Sequence, residues 1–237
     1  MKASRILMTF GLILLGATGV IDAAETSAPA AVTWQDLAPK VEFDDPFVKL
    51  EPEVLMDLGV IARVRDLQKR RPDAVSEGMV EEAKAAEVKL KAAGVDVEGL
   101  FALREDIKKK RTERSLAVNK ELSDTRISMP GYMLPLEYDG KKVTEFLLVP
   151  WVGACIHTPP PPPNQIVYIK AAEPFASKGM FQPIRVTGVL KTEFGKQKLF
   201  LVDGASEVPT GYRMTDAQVV AYTAGKKATP RKAPGHP

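Results

Sequence analysis

Apolar and polar positions alternate along this chain in two different ways, and the change between them divides it into two regions. From Pro52 to Arg114, apolar residues recur three and four positions apart, which is the spacing of an amphipathic helix. From Thr125 onward the period becomes two, and β-branched and aromatic residues become frequent. The pattern predicts an α+β protein in which an N-terminal helical region, 51–120, packs on a small curved antiparallel β-sheet.

Three helices are predicted in the region 51–120. The first begins at Pro52, where the missing proline N–H costs nothing, and it ends near Arg71. The second begins near Pro72-Asp73 and ends at Gly94, and the third begins after the N-cap residue Asp96. The residues expected on the buried faces are Val54, Leu55, Leu58, Ile61, Val64, Leu67, Met79, Ala83, Ala86, Leu90, Leu100, Leu103 and Ile107.

The region 125–222 is predicted to form five or six strands. The first strand covers 125–138, with a bulge or kink at Pro130-Gly131. A turn at Asp139-Gly140 leads into a returning strand over 142–150, and a third strand covers 165–171.

Residues 183–193 and 198–202 are predicted to pair as a hairpin around 194–197. A short edge strand over 211–214 and a helix from Thr215 to Tyr222 complete the region. A barrel of the oligonucleotide/oligosaccharide-binding (OB) type is the favoured architecture and a β-sandwich is the alternative, because periodicity does not separate them.

The N-terminus has the pattern of a secretory signal peptide, residues 1–23. Lys2 and Arg5 precede an uncharged apolar run over 6–16, which is shorter than the roughly 20 residues that a membrane span needs. Cleavage is expected after Ala23, with Ala24 and Ala30 as alternatives. The single cysteine of the chain, Cys155, is far from this cut, so we expect a soluble periplasmic protein and not a lipoprotein.

Residues 24–50 are predicted to be a leader followed by an extended arm, Val41 to Lys49. The arm is expected to dock through Phe43 and Phe47, and an exposed recognition segment is the alternative. Residues 223–237 are predicted to be a disordered tail.

Charge gives little support for a polyanionic partner. The net charge is only +3, and the basic residues between Arg104 and Arg114 alternate with acidic ones at helical spacing. That alternation is typical of a solvated helix face with intrahelical pairs. We therefore expect no nucleic-acid partner and no membrane span after signal cleavage.

The segment 151–165, WVGACIHTPPPPPNQ, is the stretch with the most chemical interest. Its candidate ligand or partner surface consists of Trp151, Cys155, His157, Pro160, Pro161, Pro162, Asn164 and Gln165. On an extended backbone, Cys155 and His157 would lie on one face about 7 Å apart.

Three interpretations of Cys155 and His157 stay open. A zinc or copper site would need further ligands beyond these two, and a thiol nucleophile would need a third group to orient the imidazole. The favoured interpretation is a small buried cysteine and a histidine that bonds to nearby backbone. The cofactor is therefore unknown, with zinc as one option.

The five consecutive prolines, Pro159 to Pro163, predict a stiff polyproline II rod. The rod is interpreted as a strap across the barrel, held by Trp151 and Tyr168; a ligand for an aromatic groove on a partner is the alternative. Asn164 and Gln165 would either bind a ligand or cap the rod. The chain has no phosphate-binding glycine loop, serine elbow, paired-cysteine motif or histidine-rich tract, so an enzyme is not favoured.

These motifs resemble a bacterial family known as domain of unknown function 3299. The resemblance rests on the strings MPGY from Met129, EFLLVP from Glu145 and GACIHTPPPPPNQ, together with VTG from Val186 and GYRM from Gly211. It covers about 126–222 and is looser in the helical half.

The resemblance implies an exported or envelope-associated protein without an established catalytic activity. It also implies an accessory role beside ATP-driven permeases of the lipoprotein-release type, in some members in zinc-responsive contexts. The leading hypothesis is a soluble periplasmic, non-enzymatic binding or adaptor protein that contacts an envelope transporter or another periplasmic protein. The alternative is a periplasmic metal-binding protein that uses Cys155 and His157.

Overall fold

The computed structural model describes residues 28–155, 160–201 and 204–222. The predicted signal peptide, the predicted tail and His157 lie outside these ranges. Within them, a helical region and a six-stranded sheet are combined, which confirms the predicted fold class. The described part of the chain contains no helix of the length and apolarity that a membrane crossing requires.

Among the residues that the structure describes, four α-helices lie before the long strands. They are α1 (Trp34–Leu37), α2 (Pro52–Arg70), α3 (Glu77–Ala92) and α4 (Val97–Leu116). Short 3-10 turns cover Pro46–Lys49, Pro72–Ala74, Lys120–Leu122 and Pro163–Gln165.

The helix boundaries follow local signals in the sequence. The Asp96 carboxylate accepts a hydrogen bond from the Gly99 N–H at 2.9 Å, as the predicted N-cap requires. Ser76 caps α3 in the same way, so α3 begins later than Pro72, where the prediction put it.

The helices share a small apolar cluster of their own, formed by Leu58, Ile61, Ala86, Leu90 and Val97. The predicted burial of Leu103 is wrong, since this side chain is 45% exposed. Helix α4 buries only Val97 and Ile107 and otherwise presents charged residues to solvent.

Six strands form one sheet. They are β1 (Ala30–Ala31), β2 (Thr125–Asp139), β3 (Lys142–Val149), β4 (Val167–Phe175), β5 (Gln182–Leu201) and β6 (Gly204–Ala221). Their order is β1-β2-β3-β4-β6-β5, and β5 also pairs with β2, so the hydrogen bonding closes in a ring. The β1–β2 and β4–β6 pairings are parallel. The sheet is therefore mixed and not wholly antiparallel as predicted.

Strand β2 closes the ring because its two halves have different partners. Residues from Thr125 to Met133 pair with β5, and residues from Tyr132 to Asp139 pair with β3. The bulge predicted at Pro130-Gly131 is wrong, since the register shifts lie instead beyond Pro135.

Gly131 serves close packing. A Cβ atom there would lie 2.7 Å from Leu148 Cγ and 2.9 Å from Trp34 Cζ2. Trp34 approaches this point because its indole Nε1–H donates to the Pro130 carbonyl at 3.0 Å. The small residue thus lets the indole of α1 lie against the sheet.

Two further predictions in the C-terminal half are wrong. Residues 194–197 form no turn, because β5 continues through them with a register shift between Thr192 and Gly195. The predicted helix from Thr215 to Tyr222 belongs to β6, whose residues up to Ala221 pair with β5. In both cases long-range pairing with a neighbouring strand outweighs the local signal.

The sheet carries two apolar clusters. The larger one lies on the face shared by the five ring strands, and Val32, Trp34 and Leu37 from the N-terminal segment complete it. The smaller one lies between β3, β4 and the far end of the β5–β6 hairpin, with Leu147, Tyr168, Leu199 and Val208 among its members. Trp151 and Cys155 pack against this smaller cluster.

Candidate functional site

The described part of the predicted strap, Pro160 to Gln165, is fixed to the fold by side-chain amides. Asn164 is 3% exposed, and its Nδ2 donates to the carbonyls of Arg114 at 2.8 Å and Ala117 at 2.7 Å. These carbonyls belong to the C-terminal turn of α4, where no intrahelical donor remains. Asn164 therefore caps α4 and anchors the strap at the same time.

Gln165 provides a second anchor. Its Nε2 donates to the Trp34 carbonyl at 2.8 Å and so connects the strap to α1. Gly211 of β6 lies beneath the strap, and a Cβ there would be 2.9 Å from the Pro163 carbonyl oxygen. The sequence predicts a strap held by Trp151 and Tyr168, whereas the hydrogen bonds that anchor it come from Asn164 and Gln165.

The prolines of the strap alternate in exposure. Pro160 and Pro162 are exposed, whereas Pro161 between them is buried. A polyproline segment has no N–H donors, so its outward face consists of ring carbons and bare carbonyl groups. The strap thus presents a rigid edge whose position is set by the core.

Pro162, Asn164 and Gln165 line a groove of about 580 Å³, which we call the strap groove. The opposite wall comes from α1, the arm and the end of α4, and it carries four charged side chains: Lys40, Glu42, Arg111 and Arg114. Three residues that the sequence singled out therefore share one concave surface with charged residues that it did not.

The predicted arm docks on α4 through charge as well as through its aromatic rings. Arg111 donates from Nε and Nη2 to the two carboxylate oxygens of Asp45, at 2.7 and 3.1 Å. The Arg111 guanidinium lies 5.8 Å from the Phe47 ring centroid, and the Arg114 guanidinium lies 5.0 Å from that of Phe43. These contacts place Phe43 and Phe47 against α4, but Pro46–Lys49 form a 3-10 turn, so this part of the arm is not extended as predicted.

Asp45 is the electrostatic centre of this contact. Its side chain is 5% exposed, and the hydrogen bonds from Arg111 hold its pKa below the ordinary value. A further hydrogen bond from the Phe47 N–H acts in the same direction. The carboxylate is consequently charged and paired at neutral pH.

The prediction of a wholly solvated charged face on α4 is only partly correct. Three pairs are intrahelical, Lys108–Glu105, Lys109–Glu113 and Lys110–Asp106. Arg111, in contrast, reaches the arm, and Arg104 reaches Asp66 of α2. The contact between Arg111 and the arm could have been predicted from the Phe-Asp-Asp-Pro-Phe string. Its acidic and aromatic residues complement the two arginines of α4 that lie three positions apart.

Cys155 lies at the other end of the segment, in a loop where it adopts a left-handed backbone conformation with φ of 67°. It packs against the smaller sheet cluster beside Trp151, and burial raises the pKa of its thiol to about 11. A thiol nucleophile reacts as the thiolate, so this environment works against a nucleophilic role. His157 lies outside the described residues.

Among the residues that the structure describes, no group of three or more His, Cys, Asp or Glu side chains is arranged to hold a metal ion. Five of the eight predicted site residues fall into two groups by their contacts. Trp151 and Cys155 belong to the smaller sheet cluster, whereas Pro162, Asn164 and Gln165 belong to the strap groove.

Comparison with known proteins gives one family. The family model described as "Protein of unknown function (DUF3299)" matches residues 34–221. A crystal structure of a DUF3299 family protein from Pseudomonas aeruginosa PAO1 is 27% identical over 84% of this chain and 99% of that chain, with a TM-score of 0.44. A search of curated proteins finds no match.

Proposed function

This chain belongs to the DUF3299 family of proteins of unknown function, and we propose that it is a non-enzymatic binding or adaptor protein of the periplasm. Its partner surface is the strap groove, and its partner is a protein of an envelope transport system of the ATP-driven type. The observation that carries the proposal is the fixed strap. Exposed Pro160 and Pro162 stand on an edge that Asn164 and Gln165 anchor at three backbone carbonyls.

A rigid edge favours binding because little conformational entropy is lost when a partner docks on it. Polyproline segments are recognised by aromatic-lined grooves for this reason. The adjacent groove adds both signs of charge, since Lys40, Arg111 and Arg114 line it together with Glu42. Charges at the rim of an interface contribute mainly to orientation and to the rate of association.

The test is binding of the purified mature chain to a detergent-solubilised ATP-driven permease complex of the lipoprotein-release type, measured by biolayer interferometry. Replacing Pro160 and Pro162 together by Ala is expected to weaken binding about tenfold or more, because both the apolar contact and the rigidity are lost. Pro72→Ala, at an exposed proline in the 3-10 turn before α3, is the matched control.

Equal affinity of the double variant and the control would contradict the strap groove as the partner surface. A native chain that does not bind the permease would contradict the transporter role. Cell fractionation, together with the mass of the purified chain, tests the export part separately. Recovery of the uncleaved chain from the cytoplasm would contradict it.

A further inference from the structure

A second groove lies on the other side of the arm, between α2 and α4. We call it the helix groove; its volume is about 610 Å³. Phe47 of the arm lines it, and Leu55, Leu58, Phe101 and Ile107 contribute further apolar side chains. It shares Arg111 and Ser115 with the strap groove but contains no residue of the strap.

Phe101 of the lining is held by a contact with an arginine that is itself ion-paired. The Arg65 guanidinium lies 4.6 Å from the Phe101 ring centroid and donates to both carboxylate oxygens of Glu98, at 3.1 and 2.6 Å. Gly59 leaves space opposite, since a Cβ at this position would meet nothing within 4 Å. The groove is therefore a preformed concavity with an apolar interior.

One wall of the helix groove is a row of cations on α4. Arg104, Lys108 and Arg111 follow one another at four- and three-residue spacing, so they rise about 6 and about 4.5 Å along the helix. Arg104 is paired with Asp66 only at 3.4 Å, and Lys108 with Glu105 at 3.9 Å, with all four side chains well exposed. Exposed pairs of this kind are weak, so an incoming anion can replace them.

The arm shows which chemistry this face of α4 accepts. It places the carboxylate of Asp45 on Arg111 and the aromatic ring of Phe47 beside it, in the lining of the helix groove. Beyond Phe47, Arg104 and Lys108 continue the cationic row along the same apolar lining.

We propose that the helix groove binds a partner peptide segment of the same chemistry as the arm, with carboxylates near a large aromatic residue. In an extended peptide, alternate side chains lie about 6.6 Å apart on one side, close to the rise between Arg104 and Lys108. A ligand with a single acidic head would engage only one cation of the row. An acidic extended peptide is the class of partner that satisfies both the row and the apolar lining.

The probe is a fluorescein-labelled peptide with the sequence of residues 42–47, acetylated and amidated at its ends. Its control replaces Glu by Gln and Asp by Asn. Anisotropy titrations with the full mature chain are expected to show binding of the acidic peptide that the neutral one weakens about tenfold or more. Amide chemical shifts should change at Gly59 and Phe101.

Variants test the groove itself. Gly59→Leu fills the open space in the groove and is expected to reduce peptide affinity about tenfold, whereas Gly78→Leu, at another helical glycine with no neighbour within 4 Å, leaves it unchanged. Lys108→Gln is expected to reduce peptide affinity about fivefold. The matched control is Lys109→Gln, whose native side chain pairs with Glu113 on the same helix.

Equal affinity for the acidic and neutral peptides would overturn the proposal, as would a Gly59→Leu variant that binds like the native chain. Chemical shifts confined to Phe43 and Phe47 would also overturn it, because they would show exchange with the arm and not occupancy of the groove. None of these results depends on the strap, so the proposed function and this inference can fail separately.

Discussion

The ring of strands and the helical region are stabilised in different ways. Among the described residues, the larger sheet cluster contains 17 buried apolar side chains, most of them fully inaccessible, and the helical cluster contains five. The helices are also connected by ion pairs with at least one well-exposed side chain, such as Arg65–Glu98, Lys89–Asp57 and Arg104–Asp66. Exposed pairs contribute little to stability, so the helical region has less to resist local opening.

This difference in packing separates a stable sheet from the helical region that forms walls of both grooves. Asn164 and Gln165, just before β4, bind carbonyls of α4 and α1, while both grooves have walls on α4, which buries few apolar side chains. Binding surfaces are commonly drawn from less stable elements supported by a rigid scaffold.

The largest effect on stability is expected when a side chain is removed from the core of the sheet. Phe146 is fully buried in the larger cluster, so Phe146→Ala is expected to lower the free energy of unfolding by about 3–5 kcal/mol through lost burial and a cavity. Urea denaturation followed by far-UV circular dichroism measures it. Phe200→Ala, at a ring that is 69% exposed on β5, should stay within about 0.5 kcal/mol of the native chain. Similar losses for both variants would contradict the assignment of the core.

The second test probes where α1 meets the ring. Gly131→Ala places a methyl group 2.7 Å from Leu148 Cγ and 2.9 Å from Trp34 Cζ2, so one of them must move. Overpacking of this kind is expected to cost about 1–3 kcal/mol, and near-UV circular dichroism should report a changed indole environment. A variant with native stability and an unchanged tryptophan signal would show that α1 is not seated on the sheet as described.

The third test concerns the contact between the arm and α4, and it depends on pH. Because the pKa of Asp45 is depressed in the folded state, its contribution is present above the unfolded value of about 3.9 and is lost as pH falls through the folded pKa. Asp45→Asn is expected to cost about 1–2 kcal/mol at pH 7 and progressively less below about pH 4.

Urea titrations of Asp45→Asn and the native chain across this range measure the difference. Asp44→Asn is the control, since Asp44 forms only an exposed pair with Lys49. If the cost of Asp45→Asn were the same at pH 3 and pH 7, the Arg111–Asp45 pair would not be the source of the stabilisation.

The same contrast between regions explains what could be predicted from the sequence. Helices α2 and α4 were predictable because their signals are local: Pro52 at the first turn, Asp96 as N-cap and apolar residues at three- and four-residue spacing. The length of β5 was not, because Gly195 resembles a turn residue locally. In the structure a Cβ there would lie 3.3 Å from Thr210 Oγ1 of β6, so close strand approach explains the glycine.

At the candidate site, too, local features could be predicted and long-range contacts could not. The strap could be predicted because a run of prolines is a local signal that does not depend on contacts with other elements. Its anchors were not, since Asn164 binds carbonyls about 50 positions away in the chain and Arg111 binds Asp45 from another element. Both contacts depend on how the helical region meets the sheet, and a single sequence carries no direct signal for that.

The smallest test uses a glycine of the helical region as the counterpart of Gly131. Gly59 lies inside α2 with open space around its missing Cβ, so Gly59→Ala adds helix propensity without a clash. The free energy of unfolding is expected to rise by about 0.5–1 kcal/mol, measured by urea denaturation alongside Gly131→Ala. If the free energy of unfolding rises in Gly59→Ala and falls in Gly131→Ala, the contrast between a tightly packed ring and a loosely packed helical region is supported. A loss of stability in Gly59→Ala would mean that the helix groove is already filled by neighbouring side chains.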